Sequence, residues 1–127
     1  MLSDAYTLLI NALIQSTKAG LLDWTKGRTS LSYTACPPPG HLIHLDKYYF
    51  IVNEQPNPCL NFTLFTSSNE IVDELILYKE GDDPLLFDLL GGLYKEVEIQ
   101  YTRNTNPTLP VVLADITRAL TDQFKGL

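Results

Sequence analysis

Histidine and cysteine are scarce in this chain, with two of each among 127 residues. Neither Cys36 nor Cys59 has a second cysteine within four residues, so the paired ligand turns of ordinary structural zinc sites are missing. Basic charge is also in deficit. Nine Lys and Arg face fifteen Asp and Glu, for a formal net charge of -6, and the basic residues are scattered along the chain. Nucleic acid and anionic membranes both demand a concentrated basic surface, which disfavours both as partners. Long apolar runs are absent too. The longest, Tyr48 to Val52, is about a quarter of what a membrane-spanning helix requires. Met1-Leu2-Ser3-Asp4 lacks the basic start and apolar stretch of a secretory signal. These deficits point to a cytoplasmic protein with reduced thiols. Walker, dinucleotide-binding, serine-hydrolase and zinc-protease motifs are also missing, so no catalytic residue and no cofactor is assigned.

What is present is enough apolar content, 45% of residues, for one core, and 1–127 reads as a single domain. Leu2, Tyr6, Leu9, Ile10, Leu13, Ile14 and Thr17 recur at spacings of three and four and predict a helix over 4–19. Ser3 is its expected N-cap and Gly20 its expected stop. Leu21, Leu22 and Trp24 are expected to carry the chain back against the core. From Leu31 to Tyr78, β-branched and aromatic runs alternate with turn residues, predicting four or five antiparallel strands, the last at 71–78. Tyr48 to Val52 is apolar on both alternating faces and is expected in mid-sheet, covered on each side. Asn61 and Thr63 alternate with Leu60, Phe62 and Leu64, as in a strand buried on one face.

Asp83-Pro84 opens a second helix, on which Leu86, Leu89, Leu90, Leu93, Tyr94, Val97 and Tyr101 share one face. Thr108 is placed to cap a third, striped by Leu109, Val112, Leu113, Ile116, Leu120 and Phe124. The expected architecture is α+β: an N-terminal helix, a four- to five-stranded antiparallel sheet and two C-terminal helices. Three stripes need a sheet face, or one another, as cover.

The segment "YTACPPPGHLIHL", residues 33–45, holds Cys36, His41 and His44, which with Cys59 are the candidate metal ligands. Their spacing argues against a site. His41 and His44 are an odd number of residues apart in an extended segment, where side chains alternate between faces. Cys36 as a nucleophile would need one of these imidazoles as its base. Asp82-Asp83 is better explained by the helix start, and Asp73-Glu74 point apart on a strand. Within the second helix, Asp88, Gly91, Gly92, Lys95 and Ile99 share the side away from the apolar stripe. Two successive glycines each cost a helix about 1 kcal/mol relative to Ala. Either this face meets a second surface closely, or the pair divides the helix in two.

The stretches "TKAGLLDW", residues 17–24, and "LLGGLYKEVEIQ", residues 89–100, resemble elements of small uncharacterised bacterial proteins in which a helix, a glycine turn and a Trp precede a strand meander. The resemblance implies a broad architecture and no activity. Two functional expectations result. The first is a non-enzymatic interaction or regulatory module acting on a protein partner or by self-association, including a homodimer. The second is a small enzyme or metal-binding protein using Cys36, His41 and His44.

Overall fold

The computed structural model describes residues 2–105 and 108–125. The elements follow in the order α1 (Leu2–Lys18), β1 (Thr25–Lys26), β2 (Ser32–Ala35), β3 (Leu42–Val52), β4 (Gln55–Phe65), β5 (Ile71–Tyr78), α2 (Pro84–Thr105) and α3 (Leu109–Lys125). This is an α+β arrangement. The strands form one antiparallel meander in which each pairs with its successor, in the order β1-β2-β3-β4-β5.

Helix α1 ends where Gly20 adopts a positive φ of 72°, which costs glycine nothing. There the Leu21 N–H reaches the Ser16 carbonyl at 2.9 Å and the Gly20 N–H reaches that of Thr17 at 3.1 Å, the paired bonds of a Schellman stop. At the other end α1 already includes Leu2 and Ser3. The helix therefore begins ahead of the expected cap.

The turn after α1 is stitched to the core. The Trp24 Nε1–H donates to Thr17 Oγ1 at 3.0 Å, and the Gln100 Nε2–H from α2 donates to the Leu22 carbonyl at 2.6 Å. Leu22 and Trp24 are buried, whereas Leu21 faces solvent, because the Gly20 stop turns it outward.

Helix α2 starts at an Asp83 N-cap whose Oδ1 accepts the Leu86 N–H at 3.0 Å. It runs unbroken through Gly91 and Gly92 to Thr105, so the pair does not divide it. α1 and α2 pack side by side on one face of the sheet. Their stripes meet Tyr33, Ala35, Ile43, Leu45, Leu60, Phe62 and Leu77. Each fully buried side chain of this size contributes roughly 1.5–3 kcal/mol. The Tyr6 hydroxyl donates to the Asp73 carboxylate, tying α1 to β5.

Neither α1 nor α2 covers the opposite face of the sheet. Alternation along β3 and β4 sends Ile43, Leu45, Leu60 and Phe62 to the helices and Asp46, Tyr48, Asn61 and Thr63 to this open face. Asn61 and Thr63 are nonetheless buried, and their polar atoms are paired: Thr63 Oγ1–H donates to Asn61 Oδ1 at 3.1 Å, and Asn61 Nδ2–H to Glu74 Oε1 at 3.3 Å and Tyr48 Oη at 3.4 Å. The strand is thus buried on both faces.

The expectation for Tyr48 to Val52 is half right. They belong to the middle strand, but all five are exposed. β2 accompanies β3 only from Ile43 to Asp46, and β5 accompanies β4 only as far as Cys59. Beyond those points β3 and β4 continue as a two-stranded arm that its neighbours are too short to cover.

Candidate interaction surfaces

The polar candidates do not gather. Cys36 is exposed just past the end of β2, His41 is exposed just before β3, and Cys59 is buried in β4. His44 pairs with Thr63, whereas Cys59 pairs with Tyr48, four residues farther along the ladder. That separation is roughly 13 Å. Among the described residues no three His, Cys, Asp or Glu side chains are grouped so as to hold an ion. The His44 ring lies 4.6 Å from that of Phe65, and burial holds its pKa below the usual range, opposed by Asp46 and assisted by Arg28. Burial also pushes the Cys59 thiol upward, away from reactivity. On the open face Asp46 is buried beside Ser32, and its Oδ2 has no hydrogen-bond partner.

The outer face of α2 behaves differently along its length. Asp88, Gly92, Lys95 and Ile99 are exposed, with Gly91 partly covered. A Cβ at Gly91 would meet Leu60 Cδ1 at 3.8 Å, an ordinary contact, and at Gly92 would meet nothing within 4 Å. Among the described residues no side chain therefore requires glycine at either position. Asp88, Gly91 and Lys95 line a cleft of about 530 Å³ between α2 and the arm, where Lys47 and Pro58 form part of the facing wall. The Lys47 ammonium sits 5.4 Å from the ring centres of both Tyr49 and Tyr94. Ile99 lies outside this cleft, in a shallow groove shared with Lys95 and Arg103.

Two surfaces were not singled out as sites by sequence reasoning. The first is the arm, where exposure runs from 38% at Tyr48 to 72% at Ile51. Its signal was available in a doubly apolar run followed by Pro56 and Pro58, residues that a covered central strand does not accommodate. The second is α3. Every described side chain from Pro110 to Phe124 is exposed, including Val112, Leu113, Ile116, Leu120 and Phe124. The stripe expected there exists as a helix face but is left exposed along its described length, whereas α1 and α2 fill the helix-bearing side of the sheet.

Among the described residues no helix is long and apolar enough to cross a membrane. Comparison of the chain with protein-family models, with curated proteins and with solved structures gave no match.

Proposed function

We propose that this chain is a small cytoplasmic, non-enzymatic protein-interaction module. The observation that carries the reading is the apolar stripe of α3, left open along its described length. A helix of 17 residues without tertiary packing is marginal in water, because nucleation is costly and each added bond gains little. Exposed apolar patches beyond a few hundred Å² mark interaction sites on soluble proteins. A stripe of this kind gains its stability from whatever it is laid against.

Charge argues for a protein partner. Helices that lie on anionic lipid carry Lys and Arg on the polar face. Here that face presents Asp115, Arg118 and Asp122, within a chain of net charge -6. A groove lined by apolar side chains is the matching surface.

A photo-reactive amino acid placed at position 116 in cells tests the reading. The expected result is one discrete adduct, identified by mass spectrometry, that is lost when Leu113 and Leu120 are replaced by Gln and that re-forms from purified components. Recovery of uncoupled chain alone, or of a smear unaffected by those substitutions, overturns it.

A further inference from the structure

The arm has two edges, and only one is protected. On the β4 side, beyond the end of β5, lie Pro56 and Pro58, paired with Ile51 and Tyr49. Antiparallel pairs alternate between those that exchange hydrogen bonds and those that do not. Proline has no N–H, so these two are non-bonded pairs, and the missing donors lie on the outer edge of β4. That edge cannot accept another strand.

The same alternation makes Lys47, Tyr49 and Ile51 direct their N–H and C=O groups away from β4. The β2 side agrees: Ser32, opposite Asp46, spends its N–H on the Thr29 carbonyl and its C=O on the Gly27 N–H, so Ser32 and Asp46 are a non-bonded pair and the odd residue Leu45 is the one that exchanges bonds with Tyr33. β2 stops at Ser32, opposite Asp46, and among the described residues no strand lies on this side of β3 from Lys47 to Val52. This edge is apolar on both faces and contains no proline.

We propose that a second copy of this chain adds to this edge, β3 against β3, across a two-fold axis at Phe50. The inference deepens the interaction reading above and rests on it. A two-fold axis normal to the sheet keeps open face with open face. It sets Phe50 against Phe50, Tyr49 against Ile51 and Tyr48 against Val52 of the other copy. Outward-directed odd residues then face one another, as strand pairing requires.

Neighbouring registers are worse. An axis at Tyr49 drives Val52 into the place that Ser32 holds beside Asp46. An axis at Ile51 sets Tyr49 against Asn53, whose φ of 50° takes it out of the strand. At Phe50, Lys47 of each copy comes beside the turn carrying Glu54 of the other, placing opposite charges at the two ends of an uncharged centre.

The area is also of the right order. The exposed surfaces of Tyr48 to Val52 amount to on the order of 500 Å² per copy, so pairing the two edges can bury up to about 1,000 Å² in total, the lower bound for a specific interface.

The test uses the full chain. Light scattering from low to high micromolar concentration is expected to give the dimer mass for the wild type. Ile51→Pro removes an outward N–H that makes no bond within the chain. It is expected to weaken the dimer by roughly tenfold or more, with an unchanged circular dichroism spectrum.

In a Cys36→Ser, Cys59→Ala background, Phe50→Cys is expected to form a covalent dimer on mild oxidation, because facing Cα atoms in a non-bonded pair lie about 4.5 Å apart. Tyr48→Cys, roughly 13 Å from its counterpart, is not. A monomer at every concentration, a dimer indifferent to Ile51→Pro, or equal cross-linking at positions 48 and 50 overturns the proposal. So does a complex of the arm with a different protein and no self-association. A monomer that retains the adduct at position 116 removes the dimer and leaves the interaction reading intact, so the two failures are distinguishable.

Discussion

Helices α2 and α3 carry apolar stripes of the same period and meet opposite fates. On α2, Leu86, Leu90, Leu93, Tyr94 and Val97 are buried against the sheet and α1. On α3, Val112, Leu113, Ile116, Leu120 and Phe124 face solvent. Periodicity reports that a helix has an apolar side, and nothing in it names the surface that side will meet. Two helices occupy one face of the sheet, and the third arrives last in the chain.

The sharpest way to break this comparison is to make the same substitution on both helices. Leu90→Ala in α2 is expected to cost about 2–5 kcal/mol in urea unfolding, since it opens a cavity in the core. Leu113→Ala in α3 is expected to stay within about 0.5 kcal/mol when measured on the isolated protein. Similar costs would show that α3 is packed.

A smaller effect lies at the start of α2, where Asp83→Ala removes the acceptor of the Leu86 N–H and is expected to cost about 1 kcal/mol in the same assay. Gly92→Ala acts in the other direction. With open space around a Cβ there, it is expected to stabilise the chain by up to about 1 kcal/mol. Destabilisation, or an altered molar mass, would mean that a second surface lies against that turn.

The smallest expected effect is a pH dependence from His44. Its folded pKa lies below the ordinary 6.5, so the unfolded chain binds more protons in this range and stability rises with pH. The contribution is complete above 6.5 and is lost as pH falls below it toward the folded value. Chemical unfolding of wild type and His44→Asn across about pH 5 to 7 checks this, the variant being expected to show the shallower slope.

Much of the fold was legible because its signals are local. The Gly20 stop, the Asp83-Pro84 start, the α1 and α2 stripes and the strand at Ile71–Tyr78 each depend on a few adjacent residues, and each is found in place. Exposure of the arm was not legible, since it depends on where β2 and β5 end relative to β3 and β4. Tyr48 to Val52 reads as a covered strand by composition alone. The burial of Asp46, Asn61 and Thr63 on the face away from α1 and α2 was hidden for the same reason.

The candidate surfaces fared unevenly. Asp88, Gly91 and Lys95 do share a cleft, whereas Ile99 belongs to a different groove. Cys36, His41, His44 and Cys59 were separable in advance only through the lack of a neighbouring cysteine and the odd spacing of the histidines. The strand register supplied the rest.

The packing of α1 against α2 has a consequence for how the molecule is made on the ribosome. Strands that pair with their immediate successors can zip together as they emerge, because little chain must be closed into a loop each time. The first helix enjoys no such timing. Its neighbour is synthesised only after all five strands, so Tyr6, Ile10 and Leu13 must wait through the whole of sheet synthesis for their second wall. A nascent chain halted before α2 emerges is therefore expected to be prone to aggregation and to capture by chaperones.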